Sequence, residues 1–295
     1  MRGPRILLAA AALALLAVAC SSCSSTPALT IGSTNFPEQV IVANLYADVL
    51  QHAGIHTSLR TDLGTREEVE PALAAGQLDL YPDYAGTLLL FLNANDTRQA
   101  TQTSTAVPAL KQALAAKGAT VLNPAPAIDT NVFAVTKATA TKYHLTTLSS
   151  LAPVAKDLTL GGPSECPQRP TCLEGLESVY GIHFKGFTST DEAGPVTVAD
   201  LKNGSVQVAE LFSSDGNVLE NNFVQLTDNL HLQPADYLIP VLRKSVDTPA
   251  AVAALNGLSA KLTTQQLSEL NIKHTVDHDD PAAIASQWLK SEHLT

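Results

Sequence analysis

Apolar residues at the start of the chain form one unbroken run, Ile6 to Ala19, behind Arg2 and Arg5. A charged start and an apolar stretch of about 14 residues are too short to span a bilayer and have the form of a secretory signal. Beyond Ala28 the pattern changes to short apolar runs alternating with amphipathic stretches. LTIG, Leu29 to Gly32, predicts a strand stopped by glycine. A helix follows, entered through Asn35 or Phe36 with Pro37 in its first turn, striped by Ile41, Leu45 and Val49, and closed by Gly54. IHTSLR predicts a second strand, and Thr65 with Glu68 has capping-box spacing for a helix through Ala75 that Gly76 closes. LDLYP is a third strand, expected to break at Pro82 and to present Asp83, Tyr84, Gly86 and Thr87 at its end. Gly86 is expected there to let the backbone approach a ligand. Strands separated by helices of ten to fifteen residues predict a parallel-type α/β sheet.

The second part of the chain repeats the first. LTIGS at Leu29 returns as LTLGG at Leu158. Leu73, Gly76, Leu80, Tyr84 and Ala85 return as Leu201, Gly204, Val208, Phe212 and Ser213, at a nearly constant offset. Two related α/β lobes are expected, with one large sheet as the alternative; roughly 270 mature residues exceed the usual size of a single core. Both lobes place an aromatic residue at the carboxyl end of the equivalent strand, where open α/β sheets bind ligands. Proline-rich segments at Leu122–Asn131 and Leu232–Pro240 predict two crossings. The expected division is a signal peptide over 1–19, a tether over 20–28, lobe I over 29–128 and 235–295, and lobe II over 129–234. Helices over Thr263–Leu270 and Pro281–Lys290, the latter capped by Asp280, are expected to pack back on lobe I.

Charge and cysteines narrow the chemistry. The formal charge of −10 includes both signal arginines, so the exported part is more acidic still. That argues against nucleic acid and anionic lipid as partners and mildly favours cationic or zwitterionic ligands. LLAVACSSCSS, where the apolar run ends, resembles a lipobox, which implies signal removal and lipidation of Cys20, with Cys23 as the weaker candidate. Several acyl chains give the stable anchoring that one cannot. The alternative is an ordinary signal peptide with a spare cysteine. The remaining pair, Cys166 and Cys172 in SECPQRPTCLEG, reads as a disulfide in an exported protein. It would stiffen the loop carrying Glu165 and Arg169; a metal site is the rival, but no third ligand is near in sequence. HTVDHDDP likewise reads as an exposed loop before a helix N-cap, and no metal or cofactor is expected. The chain has no G-x-S-x-G, S-x-x-K, H-E-x-x-H or P-loop pattern, so no enzyme is expected.

Three segments carry a family resemblance: IGSTNFPEQVIVANLYADVLQHAG, LGTREEVEPALAAGQLDLYPDYAGT and LGGPSECPQRPTCLEGLESVYGIHFK. They resemble the quaternary-ammonium binding proteins of ABC importers for glycine betaine, carnitine and choline. The resemblance implies a two-lobed periplasmic-binding-protein fold of the two-crossing type (type II). It also implies an aromatic cage for trimethylammonium, an arginine for carboxylate, and delivery to a permease with its ATPase by a monomer anchored outside the cytoplasmic membrane. Tyr84 and Thr87 fall on the first cage tyrosine and its hydrogen-bonding threonine. Glu165 and Arg169 fall on the second-lobe acid and the carboxylate-binding arginine, Asp129 on an acidic position beside the hinge, and Phe212 on a cage tyrosine. Thr34 stands where a lysine is common, and Asn131 and Ala235 stand at cage tyrosines, with Tyr237 two positions on. The expected cage is therefore reduced to Tyr84 and Phe212, with Phe36 or Tyr237 as further candidates, and Thr34, Thr87 and Asn131 add neutral hydrogen-bonding capacity. A different polar or aromatic solute, or a sensor without transport, is the alternative function.

Overall fold

The computed structural model describes residues 28–93, 103–234 and 236–295. The signal run, Cys20, Cys23 and Ala235 lie outside the described residues. No helix among the described residues is long and apolar enough to cross a membrane.

Among the described residues, ten strands form two five-stranded sheets. The first has the order β2–β1–β3–β10–β4, from Thr57–Arg60, Leu29–Gly32, Leu80–Tyr84, Leu238–Arg243 and Ala119–Val121. The second has the order β7–β6–β8–β5–β9, from Gly186–Ser189, Thr159–Gly162, Val208–Phe212, Asn131–Val135 and Val224–Leu226. The repeat seen in the sequence is thus a repeat of sheets: β1 corresponds to β6, and β3 to β8. The sheets are mixed rather than parallel. Four strands in each point the same way and one is reversed: β10 is antiparallel to β3 and β4, and β5 is antiparallel to β8 and β9. The cause lies in the crossings. β5 and β10 each arrive directly from the other sheet, without the helical crossover that parallel neighbours require. The two crossing segments meet side by side at the bridge between Ile128 and Tyr237, where Asp129 N donates to the Asp236 carbonyl at 3.1 Å.

Local signals account for most helix ends. The first helix, α1 (Pro37–His52), starts with proline at its first position, where the missing N–H costs nothing. In α2 (Arg66–Ala74) the Glu68 carboxylate accepts the Thr65 N–H at 2.6 Å, closing the expected box. The C-terminal helix Pro281–Ser291 is capped by Asp280, which accepts the Ala283 N–H at 3.0 Å. That helix and its predecessor, Thr264–Thr275, bury Leu267, Leu270, Ile284 and Leu289 against Ile41, Leu45 and Val49 of α1. A second cluster joins the helix Ala85–Leu92 to the helix Thr103–Ala115.

Pro82 does not end its strand. β3 continues to Tyr84, and Pro82 lies directly opposite Pro240 on β10. The Pro240 carbonyl accepts from Leu122 N on the far side, so the prolines face each other at a non-hydrogen-bonded pair. Neither missing N–H therefore belongs to the β3–β10 ladder. What stops the strand is the helix that begins at Ala85.

Candidate functional site

The carboxyl ends of β3 and β8 face one narrow cleft with a cavity volume of about 30 Å³. Of the nine predicted ligand residues, Thr34, Phe36, Tyr84, Thr87, Asp129, Asn131, Arg169 and Phe212 line it. Glu165 lies outside, in an adjoining recess, and Tyr237 does not reach the cleft. Five lining residues were not anticipated as ligand residues: Gln39, Arg66, Asp83, Glu192 and Asp236.

Aromatic surface comes from both lobes. Phe36, before α1, meets Phe212, at the end of β8, with ring centroids 4.0 Å apart and planes tilted by 40°. Tyr84 is buried beside them and donates its hydroxyl to Glu38 Oε1. Glu38, in the first turn of α1, is a junction. Its other oxygen accepts from Ser214 Oγ of lobe II at 2.6 Å and from Asn271 Nδ2 of the C-terminal region. Burial raises the Glu38 carboxyl, against the lowering effect of these three donors. Asp129 sits nearby on the crossing segment, where Oδ1 accepts the Ser214 N–H at 2.8 Å and the Ser213 hydroxyl at 3.0 Å. Its Oδ2 is buried without a partner. Burial and the neighbouring Glu38 push Asp129 well above the usual carboxylate range. Two carboxyls in one dry space resist double ionisation.

Two arginines reach the cleft, and both are engaged. Arg66 grips Asp83 with two nitrogens, Nη2 at 2.6 Å and Nε at 3.0 Å, and donates to Thr87 Oγ1 at 2.9 Å. Both partners are buried, so this pair is a fixed wall. Arg169 of lobe II reaches across to Glu67 of lobe I at 2.8 Å and approaches Glu165 at 3.3 Å. The recess behind Arg169 is thus where Glu165 acts, orienting the guanidinium rather than lining the cleft.

Gly86 does admit a close approach, but by the chain itself. A Cβ there would lie 2.6 Å from Pro234 Cβ and 2.9 Å from Asp236 Oδ1. The returning segment presses on this glycine so that Asp236 accepts the Thr87 N–H at 2.8 Å. Burial pushes the Asp236 carboxyl up to about 7. Glu192 of lobe II is pushed up to about 7 by the same cause. In the amide orientation that satisfies both its atoms, Asn35 of lobe I donates to Glu192 Oε2 at 2.7 Å.

Beneath the lobe II side, Cys166 and Cys172 are bonded, with Cα atoms 5.2 Å apart. Glu210 Oε2 lies 2.9 Å from Cys172 Sγ, and its other oxygen accepts from Asn131 Nδ2 at 2.6 Å. The bonded sulfur carries no proton, so a hydrogen between them belongs to the carboxyl. Burial pushes Glu210 up to about 8, in keeping with that. Asn131 therefore holds this second layer as well as lining the cleft.

Two α/β lobes linked by adjacent crossings, with a polar and aromatic cleft between their strand ends, define a solute-binding protein of the periplasmic-binding-protein fold. The chain belongs to one family of these: residues 27–291 match the substrate binding domain of ABC-type glycine betaine transport systems. The chain is 26% identical to the glycine betaine-binding protein YehZ of Escherichia coli, over 99% of each chain. It is 25% identical to the carnitine transport binding protein OpuCC of Listeria monocytogenes, over 92% of this chain and 88% of that one. A crystal structure described as a glycine betaine/carnitine/choline ABC transporter superposes with a TM-score of 0.70 at 26% identity, covering 90% of this chain and 99% of the other. The family is one of osmoprotectant transport proteins, not of enzymes.

Proposed function

We propose that the cleft captures a quaternary-ammonium osmoprotectant of the glycine betaine type and that the protein hands it to a permease and its ATPase. The observation that carries this is the meeting of Phe36, Tyr84 and Phe212 over buried carboxyls. A cation against an aromatic face gains ~0.5–2 kcal/mol, more where water is excluded. Asp129, with one oxygen unpartnered, lies in the same wall, where an arriving cation would favour its ionised form. Arg169 takes the solute's carboxylate: Glu67 and Glu165 hold Nη2, and the fork's remaining donors suit a carboxylate. Thr34, Thr87 and Asn131 supply neutral contacts.

The contact between Phe36 and Phe212 leaves no space between the rings, so a methylated cation enters by parting them and is then held from both lobes. On this reading the lobes exchange at 128/129 and 234/235. The protein works as a monomer outside the cytoplasmic membrane, tethered through residues 20–28 by a lipid on Cys20.

Calorimetric and thermal-shift titration of the protein purified without its signal tests the ligand class. Betaine, choline or carnitine should raise the melting temperature, since a ligand at a hundredfold excess over its dissociation constant stabilises by ~2.7 kcal/mol. Binding of polyols or aromatic glycosides with no response to any of the three would overturn it. That outcome belongs to a second reading, a different polar or aromatic solute, which the neutral side chains of Thr34, where a lysine is common, and of Asn131, at a cage position, favour.

A further inference from the structure

The cleft does not end at Arg169. A recess of about 330 Å³, open to solvent, lies on the other side of it and shares Arg66, Thr87 and Arg169 with the cleft. Its apolar side is Leu90, Phe91 and Pro170. Leu90 is buried, but Phe91, on the same helix, keeps 36% of its surface in water. Covering that remaining apolar surface would contribute about 25 cal/mol for each Å² removed from water.

The partition between the two spaces is uneven. Arg66 is buried and locked to Asp83, and Thr87 belongs to the helix, so neither can move cheaply. Arg169 is held by Glu67, whose side chain is 39% exposed, and by buried Glu165 at 3.3 Å; the half-wet pair with Glu67 contributes little and can open while the pair with Glu165 stays. Swinging Arg169 aside, or leaving it on a carboxylate while a chain passes between it and Thr87, joins the cleft to the recess.

We propose that the recess is a second subsite, and that the protein accepts a quaternary-ammonium solute carrying an apolar acyl chain. The head occupies the cleft and the chain lies on Phe91, Leu90 and Pro170. This rests on the head-group reading above. Exposed Gln168 and the opening to solvent leave the chain's far end facing water, so a chain of a few carbons fits better than a lipid tail.

The test is calorimetric titration with two matched pairs: choline against hexanoylcholine, and carnitine against hexanoylcarnitine. The acylated member should bind roughly tenfold or more tightly, the gain expected for partial burial of five methylene-type carbons. Phe91→Ala should bring the ratio within about twofold. Because Trp288 is the one tryptophan of the chain, Phe91→Trp gives a second readout: its emission should respond to the acyl compounds beyond any response to the heads alone. Equal or weaker binding of the acyl compounds while the heads bind would overturn the proposal. So would a gain that survives Phe91→Ala. Failure of every compound would instead overturn the head-group reading, and the subsite with it.

Discussion

Tyr84 and Phe212 occupy equivalent positions at the ends of equivalent strands, yet the two walls are built differently. In lobe I every residue of β3 is buried, and its end is bolted down by Arg66 on Asp83 and by Glu38 on Tyr84. In lobe II the end of β8 is only partly buried, and Phe212 makes no side-chain hydrogen bond. Its ring packs at the edge of lobe II's own cluster and is completed by contact with Phe36 of the other lobe. One wall is assembled before the lobes meet; the other is completed by their meeting. A duplicated scaffold can thus keep its backbone and divide the labour between a fixed and a conditional half.

Breaking the fixed half should cost most. Arg66→Ala leaves Asp83 buried and unpaired, and urea unfolding at neutral pH should show a loss of ~3–5 kcal/mol. A loss under 1 kcal/mol would mean that lobe I's wall is no firmer than lobe II's. Next in size is the second layer of lobe II. Glu210 titrates at about 8 when folded against an ordinary 4.5. Between those values the folded state holds a proton that the unfolded chain has lost, so stability falls as pH rises through the window. Glu192 and Asp236, both about 7, act in the same direction. Denaturation midpoints should drop from pH 5 to pH 8, and Glu210→Gln should remove ~2–4 kcal/mol of that decline. An unchanged slope in the variant would show that the carboxyl ionises freely.

Tyr84→Phe keeps the ring but withdraws a donor from buried Glu38. It should cost ~1–3 kcal/mol in unfolding while leaving aromatic contact with ligand intact. Smallest is Phe212→Ala, expected to weaken betaine-type binding by ~1–2 kcal/mol in calorimetry with a lesser effect on folding. A folding loss of ~3–5 kcal/mol with unaltered affinity would make Phe212 core and erase the contrast between the walls.

Local chemistry was legible in the chain; long-range pairing was not. Pro37, the Thr65–Glu68 box and Asp280 act within one helical turn, so their spacing discloses them. The recurrence of LTIGS as LTLGG disclosed two sheets because each strand must rebuild the same buried face. Arg66 and Asp83 are 17 residues apart, and Thr87 and Asp236 are 149 apart. Nothing in local pattern joins them. A hint existed in Arg66 itself: an arginine beside a helix cap, followed by Glu67 and Glu68, reads as solvated surface until its burial is known. Pro82 misled because a proline ends a strand only when its N–H is needed, and that depends on a partner more than 150 residues later. Gly86 was expected to let the backbone approach a ligand, but the returning chain, at Pro234 and Asp236, takes that place.

That returning chain also sets an order of assembly. Every strand of the second sheet comes from one continuous stretch, 131–226, whereas the first sheet needs residues 238–243 as the strand between β3 and β4. A polypeptide delivered amino end first, from a ribosome or through a translocation pore, therefore exposes β3 and β4 as unpaired edges while lobe II closes on itself. Such edges are sites of mispairing between chains. During that interval the molecule depends on a chaperone or on speed, and the lobe begun first is the last to be finished.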